Sequence, residues 1–310
     1  MSHIHSNIRH IWSLFILSLL ISFSGCSKNA DESPKVLRDN TPVIYSTDTP
    51  HNIIYENDVV RIDCSNTSKG YIGLSYFGTN EKVSFQIETP NKTTYTYLVT
   101  DYNNPIIFPL TGDNGVYLFK LLESVDIEKN LYAVVFQHEE EITIENEFLP
   151  YLTSNVYTKF DEQSDCVAQG KELAVDCYCD LDVIQNIYTY VIKNITYDEE
   201  KAQNVFYGYI PEPDQTLSSG TGICFDYASL MTSMLRSQRI PTKLEVGYAG
   251  EVYHAWISCY VDEIGWIDNI IEFDGKNWSL MDPTLAANNS SKNVKKYIGD
   301  GSKYHVKYTY

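Results

Sequence analysis

Apolar and polar residues alternate in short stretches between about Pro42 and Ile144, and Gly, Asn, Asp and Pro separate these stretches. Alternation with a period of two is typical of strands with one buried face. Six strands are predicted, at residues 59–62, 71–76, 83–87, 94–98, 115–121 and 131–136. Their number and spacing favour a β-sandwich of immunoglobulin-like size over residues 42–150. This region has no cluster of catalytic residue types, so the expected role is a spacer or an adhesion module.

The period changes near Glu147. Residues 167–174, 182–195 and 224–237 are predicted to be helical, and in the second helix five apolar residues recur at three- and four-residue spacing: Leu181, Ile184, Ile187, Tyr188 and Val191. Three strands follow at 242–248, 252–261 and 278–281. A helical half followed by a mainly antiparallel sheet indicates an α+β domain over residues 151–310. We expect the boundary between the two domains to lie between about 144 and 161.

The first 25 residues have the pattern of an export signal. Arg9 and His10 precede an apolar run over 11–23, which is too short to span a bilayer comfortably. The run ends in Ser24, Gly25 and Cys26, an ending that resembles a bacterial lipobox and would make Cys26 the lipidated first residue of the mature chain. An ordinary signal peptide or an uncleaved anchor is the alternative. Residues 26–41 are polar and are predicted to be a flexible tether.

These features predict an exported protein held by a lipid on Cys26 at the outer face of the cell membrane. The formal net charge is −18, which argues against a nucleic-acid partner. Apolar residues make up 43% of the chain, enough to bury a core. No cofactor is expected.

Three of the seven cysteines lie close together in the sequence: Cys166, Cys177 and Cys179. A zinc site would need a fourth ligand, and the sequence offers no nearby His or Cys to supply it, so we predict no metal. A disulfide between Cys166 and Cys177 suits an exported chain. Three unpaired thiols are the alternative.

The segment Gly220 to Ala228 (GTGICFDYA) places Cys224 at the predicted start of a helix. The two glycines permit a tight turn and close approach of another backbone. Free N–H groups and the helix dipole stabilise a thiolate there, and with a protonated His254 they would lower the thiol pKa from about 8.5 to about 4–7. A buried structural cysteine is the alternative. Asp226 is expected to be a solvated charge.

His254 lies on a predicted strand and shares a face with Trp256, which could shield the thiol pair from water. Imidazole can accept a thiol proton and return it to a leaving amine near neutral pH. Asp282 ends the next predicted strand, and its carboxylate could orient His254. Each residue type alone is more often structural. Cysteine at a helix start, then His on a strand, then Asp at the following strand end is the order of a thiol triad.

With these elements the chain resembles the transglutaminase-like superfamily, which has a papain-like fold. The matching segments are GICFDYA around Cys224, VYHAW around His254 and WSLMDPT around Asp282, together with YVIKNITYD at 190–198. The resemblance covers about residues 161–310. It implies attack of the Cys224 thiolate on an amide carbonyl and a thioester intermediate, which is resolved by water or by an amine. The Cys224 N–H is an expected oxyanion donor. Tyr197 is the candidate for the second donor, and a core tyrosine is the alternative.

We therefore expect a surface-tethered enzyme that attacks peptide or isopeptide bonds of a peptide or protein substrate in the cell wall or on surface proteins. A non-catalytic surface lipoprotein that binds peptide or cell wall is the first alternative. The intact set of Cys224, His254 and Asp282 argues against it. The second alternative is an adhesion lipoprotein whose working part is the strand-rich region.

Overall fold

The computed structural model describes residues 36–262, 264–273, 278–280 and 304–310. Fifteen strands are named among these residues: Ile54–Glu56 (β1), Val60–Asp63 (β2), Tyr71–Tyr76 (β3), Val83–Glu88 (β4), Thr94–Leu98 (β5), Ile106–Pro109 (β6), Gly115–Asp126 (β7), Leu131–Ile142 (β8), Thr196–Tyr197 (β9), Thr221–Gly222 (β10), Thr242–Ala249 (β11), Val252–Val261 (β12), Gly265–Phe273 (β13), Trp278–Leu280 (β14) and Tyr304–Thr309 (β15). The α-helices of this part of the chain are Asp165–Leu173 (α1), Asp180–Asn194 (α2), Glu199–Asn204 (α3), Pro213–Ser219 (α4) and Cys224–Ser237 (α5).

The first eight strands form two four-stranded antiparallel sheets, ordered β1-β2-β3-β6 and β5-β4-β7-β8. Alternate residues are buried in some of these strands, such as Tyr95 and Tyr97 of β5 and Tyr117, Phe119 and Leu121 of β7. The rings of Phe85 on β4 and Phe108 on β6 lie 5.0 Å apart, so side chains of the two sheets meet in one core. The six strands predicted from alternation are all present, and β1 and β6 are added to them.

The second half is a mixed α+β arrangement, as predicted. Five antiparallel strands form a sheet in the order β14-β13-β12-β11-β15. Helix α5 contacts β11 and β12, and α1, α2 and α4 surround it. Every residue of α5 from Asp226 to Ser237 is buried, so this is the central helix of the domain. The three predicted helices are present within three residues of their expected starts.

The two halves share a cluster of tyrosines. Tyr97 on β5 lies 5.7 Å from Tyr157 and 6.1 Å from Tyr310, measured between ring centroids, and Tyr157 lies 4.7 Å from Tyr310. Thr111 also donates a hydrogen bond to the carbonyl of Thr309 at 2.6 Å. Contacts group the described residues from Val36 onward into one compact unit. The domain boundary between 144 and 161 stays a prediction, and so does the division of the chain into two domains.

Arg236, on the last turn of α5, is fully buried and joins distant segments. Its guanidinium donates to the carbonyls of Thr153, Thr242 and Tyr310 at 2.7–3.0 Å and to the hydroxyl of Thr158 at 2.9 Å. Burial lowers the pKa of Arg236 to about 9. The central helix is thereby fixed to the connection between the halves and to the carboxyl-terminal strand.

The last part of the predicted tether contacts the helical half. Arg38 forms an ion pair with Asp180 at 2.6 Å, its N–H bonds the carbonyl of Cys177 at 2.8 Å, and its guanidinium reaches the carbonyl of Gln238. Arg239 donates to the carbonyls at 39 and 41. The export signal, Cys26 and the tether up to residue 35 lie outside the described residues. Within the described part of the chain, no helix is both long and apolar enough to cross a membrane.

Candidate active site

Cys224 is the first residue of α5, as the sequence predicts, and it is half-buried. The preceding strand β10 pairs in parallel with β9, with Gly222 opposite Tyr197. Two hydrogen bonds hold this pairing: the N–H of Thr196 to the carbonyl of Gly220 at 2.8 Å, and the N–H of Asp198 to the carbonyl of Gly222 at 2.9 Å. The pairing places the segment around Tyr197 beside the start of the helix.

The Tyr197 hydroxyl lies near Cys224, whose backbone N–H is one of the groups that act on the tyrosine pKa. Burial raises the pKa of Tyr197 to about 12, so the hydroxyl keeps its proton at neutral pH. The Cys224 N–H and the Tyr197 O–H, two groups suited to an oxyanion hole, therefore lie close together. The structure thus brings Cys224 and Tyr197 together, while their predicted roles as nucleophile and second donor stay predictions.

His254 is reached through the neighbouring strand β12. The backbone N–H of Ala255, the residue that follows His254, is close enough to the Cys224 sulfur to act on the pKa of the thiol. The imidazole itself is buried, with 8% of the residue exposed. On β12, His254 and Trp256 alternate with Ala255, so the first two share one face, as expected. The thiol thus lies directly against the strand segment that carries the predicted base.

Burial acts on both members of this pair in the direction opposite to our expectation. It raises the pKa of the Cys224 thiol, and the N–H groups of Ala255 and Phe225 offset only part of that effect. Burial also lowers the pKa of His254. Both shifts favour the neutral thiol and the neutral imidazole over an ion pair. The expected low thiol pKa rested on the helix dipole and a cationic histidine. The sequence does not show how much water the fold removes from the sulfur.

Asp226 is a second correction. The sequence suggested a solvated charge, but Asp226 is fully buried. Its Oδ2 accepts the N–H of Ile223 at 2.8 Å and pairs with Nζ of Lys201 at 2.7 Å, while Oδ1 accepts the hydroxyl proton of Tyr209 at 2.6 Å. Asp226 is the third residue of the helix, a position from which a carboxylate caps the helix start. Sequence reasoning missed it because Ile223, not Ser or Thr, occupies the N-cap.

Trp256 is almost fully buried, and its indole N–H donates to the carboxylate of Glu245 at 3.0 Å. The hydroxyl of Ser258 donates to the same oxygen at 2.5 Å. Burial raises the pKa of Glu245, and these two donors only partly oppose that effect. Glu245, on β11 opposite Trp256, therefore fixes this side of β12. Its alternating apolar neighbours hide it in the sequence.

The third predicted triad residue, Asp282, lies outside the described residues, and so its role remains a prediction. The three clustered cysteines are unpaired: Cys166 and Cys177 are buried free thiols and Cys179 is exposed. The alternative of a disulfide between Cys166 and Cys177 is therefore not the one that the structure adopts. Among the described residues, no group of three or more His, Cys, Asp or Glu side chains is placed to hold a metal ion.

Comparison with known proteins agrees with the family resemblance. Residues 170–269 match the family model of the Transglutaminase-like superfamily, a segment that contains Tyr197, Cys224 and His254 but not Asp282. A solved structure described as a "Putative Cysteine Protease from Cytophaga hutchinsonii" is 14% identical, covers 70% of this chain and 68% of its own, and has a TM-score of 0.35. A "putative protease" from Parabacteroides distasonis is 11% identical, covers 66% of this chain and 62% of its own, and has a TM-score of 0.28. No curated protein matches the sequence.

Proposed function

We propose that this chain, which carries a transglutaminase-like domain over residues 170–269, is a thiol enzyme that attacks amide carbonyls of peptides or proteins through Cys224. One observation carries the proposal. The Cys224 sulfur lies near the backbone N–H of Ala255, next to His254, and the Cys224 N–H lies near the hydroxyl of Tyr197. Nucleophile, base-bearing strand and oxyanion donors thus converge at one half-buried point.

In the proposed reaction the carbonyl carbon of the substrate approaches the Cys224 sulfur. As the C–S bond forms, the thiol proton passes to neutral His254 and the carbonyl oxygen takes up negative charge between the Cys224 N–H and the Tyr197 O–H. Collapse of this intermediate breaks the C–N bond, and the leaving amine takes the proton from the imidazolium. A thioester on Cys224 remains. Asp282 is proposed to orient His254 throughout.

Water or a second amine then attacks the thioester, and His254 accepts the proton of the attacking group. The thiol regains a proton as the C–S bond breaks. Attack by water gives a peptidase or amidase, and attack by a lysine amine gives a crosslink. Both outcomes use the same residues, so the proposal covers a hydrolase and an acyltransferase.

The test is to incubate the full chain with a peptide library and a labelled primary amine, and to measure cleavage and amine incorporation by mass spectrometry. We expect at least one of the two products, and loss of both in Cys224→Ser. Cys179→Ser is the matched control because it removes an exposed thiol remote from the site. A library left unchanged, with no thioester on Cys224 after acid quenching, would show that the domain only binds.

We further propose that Cys26 carries a lipid that holds the enzyme at the outer face of the membrane. The apolar run over 11–23, followed by Ser24, Gly25 and Cys26, supports this. The wild-type protein should fractionate with membranes, and Cys26→Ala should release it or leave the signal uncleaved. A wild-type protein that is fully soluble in the medium, with its first residue elsewhere, would contradict the proposal.

For the strand-rich half we keep the proposal of an immunoglobulin-like sandwich that acts as a spacer. Its two four-stranded antiparallel sheets support that assignment. The rival role, adhesion, predicts that residues 42–145 alone capture a glycan or a surface protein in a pull-down. The spacer role predicts no such capture by these residues.

A further inference from the structure

The start of α5 depends on a buried carboxylate. Asp226 is fully buried two residues after Cys224, and it holds the N–H of Ile223 at 2.8 Å. This hydrogen bond satisfies one of the N–H groups that a helix leaves unpaired at its beginning. The carboxylate therefore fixes the turn from which the thiol projects.

The same carboxylate opposes catalysis by its charge. A buried negative charge near the sulfur disfavours a second negative charge on the thiolate, and Asp226 contributes to the raised pKa of Cys224. Coulomb interactions are strong where water is absent, so this effect would be large if the carboxylate were alone. The Asp226 carboxylate thus stabilises the start of the helix but disfavours the Cys224 thiolate.

Lys201 stands on the other side of that carboxylate. Its Nζ lies 2.7 Å from Asp226 Oδ2 and 2.7 Å from the hydroxyl of Tyr209, whose proton goes to Asp226 Oδ1. The backbone N–H of Lys201 is itself held by Asp198 at 2.8 Å, directly after Tyr197. The lysine is therefore fixed by the same segment that supplies the proposed oxyanion donor.

We propose that Lys201 is a positioning residue of this site: its ammonium neutralises the Asp226 carboxylate, so that Asp226 can anchor the start of α5 without repelling charge on the Cys224 thiolate. Tyr209 completes the assembly by holding both charged groups. This inference rests on the proposed role of Cys224 as nucleophile.

Other titratable groups also face the thiol. On the described elements, those near the thiol are His254 on β12, Tyr197 on β9 and Asp226 on α5, while Lys201 on α3 and Tyr209 in the loop after α3 contact the Asp226 carboxylate. Tyr197 and Tyr209 have raised pKa values and stay neutral near pH 7. Within this set, the charges that a substitution can separate are those of Lys201 and Asp226.

The experiment measures the rate of Cys224 alkylation by iodoacetamide against pH in the full chain, with the exposed Cys179 as internal reference. Lys201→Met leaves the carboxylate uncompensated, so the midpoint should rise by about 0.5–1 pH unit. Asp226→Asn removes the carboxylate, so the midpoint should fall by a similar amount. The double variant should return towards the wild-type midpoint, and Lys201→Arg should keep it.

Asp214→Asn is the matched control. Asp214 accepts the N–H groups of Asp165 and Cys166 at the start of α1, so its loss weakens a helix start away from the thiol. A role of Asp226 and Lys201 limited to stability predicts the same unchanged midpoint in all these variants, and that result would overturn the inference. Lys159→Met, which removes a lysine from an exposed pair with Glu212, controls for a general change of charge.

A lone buried carboxylate could prevent Lys201→Met from folding. In that case Asp226→Asn is compared with the Lys201→Met/Asp226→Asn double variant, which contains no uncompensated carboxylate. The double variant should have the higher midpoint of the two, and equal midpoints would refute the inference. Alkylation needs no acyl transfer. Shifted midpoints without peptide turnover would therefore refute only the proposed function, and turnover without shifted midpoints would refute only this inference.

Discussion

Cys224 combines a helix-start position with removal from water, and these two factors act on its pKa in opposite directions. Burial prevails, so the thiol pKa lies above its usual value while the pKa of His254 lies below. The neutral pair is the resting form on this basis. Neutral imidazole is the form that the proposed reaction needs, because only that form can accept the thiol proton near pH 7.

Alkylation of Cys224 should therefore require a higher pH than alkylation of a free thiol. Below the ordinary thiol pKa of about 8.5 the sulfur is protonated, and the rate should still be rising above that pH. The measurement is the rate of iodoacetamide labelling from pH 5 to 11, with unfolded protein in urea as the reference. A midpoint near pH 6 in the folded chain would instead indicate a resting thiolate–imidazolium pair.

Tyr197→Phe tests the second oxyanion donor. The substitution keeps the ring and its packing against Tyr227, whose centroid lies 6.3 Å away, and removes only the hydroxyl. Loss of one oxyanion donor lowers kcat by about 10²–10³-fold, and KM should change little. Steady-state kinetics on any peptide found in the library test will measure this. Tyr227→Phe, which removes a hydroxyl bonded to the carbonyl of Ile195 instead, is the control, and an equal loss of kcat in both variants would count against the assignment.

Helices and strands with regular periodicity can be predicted from the sequence. The contacts that set the charges around Cys224 cannot. Alternation is enough to locate β5 or β7, because burial of one strand face imposes it. None of the six residues of the short α3 is buried, so no apolar stripe marks this helix in the sequence. Nothing in its sequence identifies Lys201 as the partner of Asp226. Cys224 and His254 could be selected by residue type and order. Their protonation could not, because it depends on how much water the fold removes.

Strand β10 leaves no room for a side chain at Gly222. A Cβ atom there would lie 2.7 Å from Cβ of Asp226 and 3.1 Å from its Oδ2. Gly222→Ala should therefore displace the carboxylate, loosen the start of α5 and reduce both peptide turnover and Cys224 alkylation. Gly265→Ala is the control: a Cβ there meets nothing within 4 Å, and its φ of +91° should cost about 1 kcal/mol of stability without affecting turnover. Equal turnover in the two variants would contradict this view of Gly222.

The loop between α3 and α4 exposes two aromatic rings beside the site. Phe206 and Tyr207 are 68% and 70% exposed, although the next two residues are tightly held. Gly208 has a φ of +83° and approaches Leu98 so closely that a Cβ would lie 2.2 Å from its side chain, and Tyr209 is bonded to Asp226. A fixed loop with exposed apolar rings is typical of a binding surface.

Replacing Phe206 and Tyr207 together by Ala should raise KM for peptide substrates by at least about 10-fold, because even one ring buried by substrate contributes roughly 1.5–3 kcal/mol and about 1.4 kcal/mol corresponds to tenfold. Turnover of p-nitrophenyl acetate, which is too small to reach the loop, should be retained. The control is the double variant Phe77→Ala/Tyr178→Ala, which removes two rings elsewhere that are each about half exposed. An unchanged KM would remove the loop from the binding surface.

The two halves of the chain are joined by more than their connection. The tyrosines at 97, 157 and 310 pack together, and Arg236 holds the carbonyls of Thr153 and Tyr310. All these groups are buried, so separating the halves would expose both apolar rings and unpaired carbonyls. A cut in the connecting segment is therefore not expected to release an independent catalytic fragment.

Limited proteolysis between about 144 and 161 should give two fragments that elute together from a size-exclusion column. The same cut in Arg236→Met should allow them to separate, because the buried carbonyls lose their donor. Arg61→Met, which breaks a surface pair with Glu56, should leave them associated. Wild-type fragments that separate while the carboxyl-terminal one keeps thiol reactivity would show that the halves are autonomous domains.

Attachment of residues 38–43 to the helical half limits how far the enzyme can work from its anchor. Arg38 is fixed to Asp180, and the N–H of Val43 bonds the carbonyl of Ser237 at 2.9 Å. If Cys26 carries the lipid, the predicted tether is limited to the residues between Cys26 and Arg38. A chain of that length reaches at most roughly 40 Å when fully extended. The active site would then reach only a thin layer above the bilayer. Its substrates would be limited first by their distance from the membrane and only then by their sequence.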